Sequence, residues 1–521
     1  MSEKQKIFRA AGILGSATML SRIMGMVRDM VVSRLFGAGM ATDAFFAAFQ
    51  IPNMLRRFFA EGALTAAFVP TFSATLTQKG QDDARELANI CFTLLTIVMS
   101  FITLVGIIFS PLIVSLMFPG FKAEPGKLEL AVLLNRLMFP YIFFISLVAL
   151  CMGILNTLRH FFTPAISTVF LNISMILAAL GLRGFFEAPI TALAVGVLAG
   201  GCIQLLLQLP VLWRKGFAFR PNFDFKNPEV RRIALLMLPS LFGVGVYYLN
   251  IVVSSILASQ LPQGSVSYLY YAQRLFEFPQ GIFTVSVAQA VLPSMSKQAA
   301  SGDMDGMKES LSFGLRLTLF ITIPAMAGLM ACSTPIFSLI FMGGAFDYLK
   351  VVNSAQALMY YSLGLSFVAM TRVLAPAFYA LNDTKTPVIT AFITFLLNLC
   401  LSLALMGPLK HGGLALASTI SSCGNMLMLF WLLRRKTGAF GGRAIIRTSF
   451  KSVAASIPMT AAVWYACLLI DWSQGGQKIL KAAVLGGAIL IGTGIYLVAV
   501  RLLKTEEALE AVSVLKRKLT K

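Results

Sequence analysis

Apolar runs about as long as a bilayer is thick recur along the whole chain, and they constrain its fold more than any other feature. Phe92 to Phe118, Ala192 to Leu212 and Ala482 to Val500 are three of them. A hydrocarbon core of roughly 30 Å takes about 20 residues of helix to cross. Nothing in that core satisfies a bare N–H or C=O, so a crossing segment is either a helix or a strand of a closed barrel. A barrel would show short alternating strands, and these runs are long and continuous. The expected fold class is all-α integral membrane. Composition agrees, because 57% of the 521 residues are hydrophobic and only 12% are charged. A mean hydropathy of +0.80 lies outside the range of a soluble domain.

The runs resolve into fourteen expected spans, near 8–35, 42–75, 87–117, 130–158, 163–182, 189–212, 231–260, 265–297, 310–341, 352–380, 386–406, 413–434, 446–470 and 479–502. Most of the 43 Lys and Arg residues lie at the two termini and in the loops after even-numbered spans. Basic residues collect on the cytoplasmic side, so both termini are expected there. The net charge of +21 has the same origin and does not indicate nucleic-acid binding, since the cations sit in short caps between apolar runs. Lys4, Lys6 and Arg9 ahead of an apolar run resemble a signal peptide, but the run continues with charges to Leu35 and has no convincing cleavage site. It is read as an uncleaved first span. The seven cysteines are scattered without a CxxC pair and read as small core residues.

An internal repeat accompanies the spans. AAFVPTFS at 66–73 matches AVLPSMS at 290–296, and TPAIST at 163–168 matches TPVITA at 386–391. TALA at 191–194 matches GLALA near 413–417. One offset of 223 residues relates Pro70 to Pro293, Pro164 to Pro387 and Leu193 to Leu416. Six spans fit within that offset, and six is even, so the halves are parallel repeats about an axis along the membrane normal. The expected domains are an N-lobe over 1–225, a C-lobe over 226–440, and a segment over 441–521 that holds spans 13 and 14. The two lobes would face each other across a central cavity.

The charges inside the spans carry the functional information. In MLSRIMGMVRDMVVSRLFG, Met19 to Gly37, the residues Arg22, Arg28, Asp29 and Arg34 interrupt an apolar helix. At 100° per residue Gly15, Thr18, Arg22, Asp29 and Ser33 share a stripe of about 60°, with Arg28 about 100° from Asp29. An Arg at mid-membrane costs roughly 2.5–3.5 kcal/mol on an insertion scale, so such residues face a bundle interior or water. IPNMLRRFFAEGA in span 2 breaks at Pro52 and Asn53 and adds Arg56, Arg57 and Glu61. YYAQRLFEFPQG in span 8 places Arg274 and Glu277 one turn apart, ahead of Pro279 and Gly281. Broken helices at matching points of two halves point to a transport site.

Eight basic residues in the spans (Arg22, Arg28, Arg34, Arg56, Arg57, Arg274, Arg316 and Arg372) face four acids, Asp29, Asp43, Glu61 and Glu277. A cavity with surplus arginine wants an anion, and guanidinium pairs best with forked oxyanions such as phosphate. Arg22, Arg28, Arg56 and Arg274 are the expected substrate ligands. Asp29, Asp43, Arg57, Glu61, Glu277 and Arg372 are expected in supporting or gating roles. Arg34, Arg316 and Arg57 equally suit structural ion pairs or snorkelling. Asp383, with Thr390 and Asn398 on the next span, is a candidate for a coupling cation, against a plainer capping role. His160 and His411 lie in loops away from the cysteines, so no metal site is expected, and no catalytic constellation or cofactor motif is present. The residues alone leave two transporter readings: a carrier of a phosphate-bearing anion, and a cation-coupled drug exporter. The last would need an acidic surplus.

SRIMGMVRDMVVSRLFGAGMATDAFF, IPNMLRRFFAEGALTAAFVP, GSVSYLYYAQRLFEFPQG and VLAPAFYALNDTKTP resemble the MurJ/MviN family of lipid II flippases over nearly the whole chain. That family belongs to the multidrug/oligosaccharidyl-lipid/polysaccharide exporter superfamily. The resemblance implies fourteen helices in two lobes, alternating access, and a groove for the polyprenyl tail on the last two helices. It implies a place in the bacterial cytoplasmic membrane, lipid II and the bilayer as partners, and other cell-wall synthesis proteins as further candidates. By motif, Arg22, Arg28, Arg56 and Arg274 match the family's cavity arginines, and Asp29, Asp43, Glu61 and Glu277 match its functional acids. Where some members carry an Asp before the span-8 Arg, this chain has Gln273.

Overall fold

The computed structural model describes residues 3–56, 64–281 and 285–507. Every regular element among them is a helix, and the β structure is limited to one isolated bridge between Gly343 and Phe346. The chain separates into two compact units, Met1–Val266 and Ser267–Lys521.

The first unit contains α1 (Glu3–Phe36), α2 (Met40–Arg56), α3 (Thr65–Gln78), α4 (Gln81–Ile108), α5 (Ser110–Met117), α6 (Lys127–Met138), α7 (Tyr141–Thr157), α8 (Phe162–Gly181), α9 (Thr191–Arg214) and α10 (Pro228–Ser259). Close helix approach depends on small residues here, as it does wherever lipid supplies no hydrophobic drive. Gly196 and Gly200, one turn apart on α9, lie directly on α8. A Cβ on Gly196 would stand 2.8 Å from Met175 Cα, and one on Gly200 would stand 3.1 Å from Leu171 Cα. α8 also packs on α1, which brings α8 side chains to the arginines. α10 begins at Pro228, a residue suited to a first turn, and the Asn227 side chain caps it by accepting from Glu229 N at 3.0 Å. It packs on α3, α4 and α5 and on the 3-10 turn Pro119–Ala123. Gly120 there has no room for a side chain, since its Cβ would meet Ser259 O at 2.1 Å. The repeat places its boundary near 226, whereas packing places α10 with the first unit. Sequence ancestry and side-chain contact are different quantities, and α10 separates them.

The second unit contains α11 (Ser265–Pro279), α12 (Val285–Ala300), α13 (Met304–Ala331), α14 (Ser333–Ile340), α15 (Tyr348–Leu363), α16 (Leu365–Ala380), α17 (Lys385–Leu409), α18 (His411–Thr437), α19 (Gly442–Cys467) and α20 (Lys478–Leu502). Its core joins Leu311, Leu315 and Leu319 of α13 to Val373 and Leu374 of α16 and to Leu429 and Leu433 of α18. α19 lies along α13, and α20 packs on α19. Tyr496 of α20 donates its hydroxyl to Phe320 O at 2.7 Å, which fixes the added pair to the unit.

Among the described residues eight helical stretches are long and apolar enough to cross a membrane: α4, α6 with α7, α8, α9, α13, α17, α18 and α20. α15 and α16, bent by 41° around Gly364, make a ninth. The other expected spans fall on helices that carry charge, such as α1 and α19, or on shorter helices. Large apolar side chains stand exposed along the outer faces, among them Phe101 on α4, Phe450 on α19 and Leu490 on α20. Such surface is tolerable only against lipid or another apolar partner.

Candidate functional site

The charged stripe of α1 divides in two. Gly15, Thr18 and Arg22 are exposed, whereas Asp29 and Ser33 are buried. Arg28 and Asp29 form a buried two-pronged contact, with Arg28 Nε 3.0 Å and Nη2 2.7 Å from Asp29 Oδ1. The remaining nitrogen, Nη1, donates to Asn172 Oδ1 of α8 at 3.0 Å. Neighbouring residues on a helix do not ordinarily share a face. Here the long arginine side chain folds back along α1, and Asn172 holds it in place. Such a pair is costly to bury, and removing either partner leaves the other charge unsatisfied. Arg34 is half-buried and Arg22 exposed at the far end of the same helix.

Asp43 begins α2 fully buried. Its Oδ2 accepts from Lys127 Nζ at 3.1 Å and from the backbone N–H of Gly264 at 2.7 Å. Lys127 is equally buried, reaches Glu124 Oε1 at 3.1 Å, and lies 4.6 Å above the Phe121 ring. This knot ties the start of α2 to the start of α6 and to the loop after α10. Arg56 at the end of α2 is half-buried and donates through Nε to Asn53 Oδ1 at 3.1 Å. Arg57 and Glu61 lie outside the described residues.

In the second unit the charges remain accessible. Arg274 Nη1 stands 3.7 Å from Glu277 Oε2, with the two side chains 37% and 43% exposed. Gln273 contributes to the same acid, its amide lying 3.4 Å from Glu277 Oε1. A neutral amide at that position bonds the acid without adding a charge. Arg372 of α16, also exposed, donates to Gln280 Oε1 at 3.3 Å, so the residue that follows α11 is tied to α16.

Asp383, Thr390 and Asn398 are not gathered at one point. Thr390 and Asn398 are eight residues apart on α17, about 12 Å of helix rise. Asp383 accepts from Lys436 Nζ at 2.7 Å, from Thr386 N at 3.0 Å and from Thr386 Oγ1 at 2.9 Å. The Lys436 ammonium, then the Thr386 amide, hold its carboxyl down to about 2. Thr390 Oγ1 donates to Pro387 O at 3.1 Å. Among the described residues no group of three or more His, Cys, Asp or Glu side chains is placed to hold a metal ion. Arg316, expected as either a pathway or a structural residue, pairs with Glu506 and Glu507 at the end of the described chain.

An apolar depression of about 410 Å³ runs along α20, lined by Ile491, Gly494, Ile495, Val498, Ala499 and Leu502. Three polar partners were not singled out in the sequence: Asn172, Lys127 and Gln280. Asn172 carried a usable signal, a lone amide inside an apolar span. Lys127 carried none, because it reads as one more loop cation.

With this geometry in hand, comparison with known proteins is specific. The family model described as "Lipid II flippase MurJ" matches residues 32–483. The "Probable lipid II flippase MurJ" of Vibrio cholerae is 37% identical over 514 residues, covering 96% of each chain. The "Lipid II flippase MurJ" of Burkholderia cenocepacia is 34% identical over 495 residues, covering 94% of this chain and 96% of its own. A solved structure of "Lipid II flippase MurJ, inward closed conformation" superposes with a TM-score of 0.77 at 27% identity, over 98% of this chain and 99% of that one. An inward-facing multidrug resistance MATE transporter of the MOP superfamily shares the fold alone, with a TM-score of 0.67 at 14% identity over 82% of this chain and 98% of its own. The chain belongs to the MurJ family of lipid II flippases.

Proposed function

We propose that the protein moves lipid II, the undecaprenyl-diphosphate-linked precursor of peptidoglycan, from the cytoplasmic to the outer leaflet. The family match over residues 32–483 carries the choice of substrate. The intramembrane arginines supply the chemistry. A lipid II molecule has a polar sugar–peptide head, a diphosphate and a long apolar tail. The two repeats form six-helix lobes over 1–225 and 226–440, fourteen helices in all with spans 13 and 14, and both termini are cytoplasmic. Arg22, Arg56 and Arg274 take hold of the diphosphate as it enters. Arg28 joins them when a phosphate oxyanion replaces the Asp29 carboxylate, which offers the guanidinium the same acceptor geometry.

This exchange gives the substrate its leverage. A ligand shifts a conformational equilibrium only by binding one state better than the other. In the described state Arg28 is already satisfied by Asp29 and Asn172. A state in which it grips substrate is therefore reached only when substrate is present. Asp43, Arg57, Glu61, Glu277 and Arg372 set the resting pairings that substrate binding rearranges. The tail stays in lipid against the apolar depression of α20, so only the head crosses. An inside-negative potential favours return of the empty, net-positive site, by roughly 2.3 kcal/mol per charge per 100 mV across the full field. Asp383 serves as a cap and ion-pair partner. No bond of the substrate is made or broken.

Depleting the protein in cells and measuring the leaflet of lipid II tests the assignment. Accumulation in the cytoplasmic leaflet is expected. Unchanged leaflet distribution, or accumulation of a different undecaprenyl-linked glycan, would remove it.

A further inference from the structure

We propose that Gln204 and Gln208 of α9 bind ordered water in the seam where α7, α8 and α9 meet, so that the first unit carries a sealed hydration site inside its bundle. α9 is long and apolar enough to cross a membrane, yet these two amides interrupt its buried face. They are 1% and 0% exposed. Among the described residues Gln204 Oε1, Gln208 Oε1 and Gln208 Nε2 find no hydrogen-bond partner. Gln208 is the one buried amide among those residues with both its oxygen and its nitrogen in that condition. Asn172 and Asn135, by contrast, are answered at least in part, by Arg28 Nη1 at 3.0 Å and by Ser110 Oγ at 2.7 Å.

The glycines beside the pair locate the seam. A Cβ on Gly200 would stand 2.7 Å from Leu171 Cδ1 of α8, and one on Gly201 would stand 2.7 Å from Tyr141 Cδ2 of α7. At 100° per residue Gln204 points about 40° from Gly200, and Gln208 about 20° from Gly201. Gln204 thus turns toward α8 and Gln208 toward α7. Four residues apart, they are neighbours on the helix surface, and one small molecule between them reaches both. One and two turns on from Tyr141, Ile145 and Val148 present buried apolar side chains. No Asp, Glu, Lys or Arg occurs in α7, in α8 or in α9 ahead of Arg214. The seam lies behind α8, the helix whose Asn172 holds Arg28.

The chemistry selects the ligand. An amide oxygen needs a donor and an amide nitrogen needs an acceptor. A metal cation would suit the oxygens and repel the N–H groups, and an anion would do the reverse. The three helices hold no charge there to neutralise an ion of either sign. Water both donates and accepts, and it is neutral and small. A buried water makes about three hydrogen bonds to otherwise unsatisfied polar groups, and three such atoms stand here. Lipid around the unit supplies no other partner.

Full-length protein in lipid nanodiscs, imaged by electron cryomicroscopy finely enough to show ordered water, tests the proposal directly. Density within hydrogen-bond distance of Gln208 Oε1 and Nε2, with no protein atom to account for it, is expected. Amides turned onto a protein donor or acceptor, or apolar side chains filling that space, would overturn it. A peak ringed by oxygens alone would mark a cation and overturn it as well. Thermal unfolding of Gln208→Leu gives a second reading, since leucine removes two polar atoms at similar size. In a dry seam the loss of unpaired polar atoms raises the midpoint. In a hydrated seam the water loses partners, so a midpoint level with or below wild type is expected, and a raised one would overturn the proposal. Should Gln208→Leu fail to insert, the wild-type map decides the question.

Discussion

Arg28 and Arg274 each stand beside a carboxylate in an apolar stretch, yet the two units treat that arrangement in opposite ways. In the first unit the guanidinium is buried, gripped from one side by Asp29 and from the other by Asn172. In the second unit the pair is longer, at 3.7 Å, and each side chain is more than a third exposed. One charge is part of the packing and the other is part-exposed. A charge in a membrane helix therefore says only that something polar must answer it. Whether the answer is a protein side chain or a ligand depends on the neighbouring helix.

Six substitutions would break or sharpen this contrast. The largest effect is expected from Asp29→Ala, which strands Arg28 in an apolar environment. Breaking a buried pair costs about 3–5 kcal/mol, so thermal unfolding in detergent should show a strongly lowered midpoint. A midpoint within a degree or two of wild type would mean that Arg28 has solvent or another anion to turn to. Asp43→Ala belongs in the same range, because buried Lys127 would keep only the part-exposed Glu124 and the Phe121 ring face. Next comes Gly196→Ala on α9, whose new Cβ meets α8 backbone at 2.8 Å. Overpacking of this kind costs about 1–3 kcal/mol and should appear in the same assay.

Smaller in stability, though large in function, is Arg274→Ala. An exposed pair contributes about 0–1 kcal/mol, so the variant should fold and insert normally. Arg28→Lys tests the other arm, since lysine keeps the charge and loses the two-pronged contact. Lower stability and impaired transport together are expected there. The smallest effect belongs to Asp383→Asn, which weakens a cap and an ion pair for about 1 kcal/mol. Lys436 and Thr386 hold the Asp383 carboxyl down to about 2 in the folded protein. Its stabilisation is thus complete above the usual carboxylate range and is lost as pH falls through about 2. Wild type and variant should differ near neutrality and converge in strong acid. A constant difference across that range would mean that the lysine contact contributes nothing.

Eight or nine of the expected spans were legible among the described residues, because hydrocarbon imposes a single length and a single chemistry. Pro52, read as a break, lies inside α2, whose helix runs through it to Arg56. The intramembrane charges were legible by residue type, and their partners were not. The stripe on α1 was placed correctly on the helix, but its second half lies under α8, and nothing in residues 15–33 reveals what will pack there. Asp43 reads as an intramembrane acid, while its partner Lys127 is 84 positions away and looks like any loop cation. Periodicity reports a helix's own faces, and long-range partners are decided by topology.

The account depends on exposed guanidinium groups of this chain gripping the diphosphate of lipid II. Reconstituting the Arg274→Ala protein in liposomes and measuring lipid II translocation, beside a thermal-unfolding check that it is folded, tests that claim most directly. Translocation should fall to the level of empty liposomes while the unfolding midpoint stays at the wild-type value. Wild-type translocation by the folded variant would contradict it.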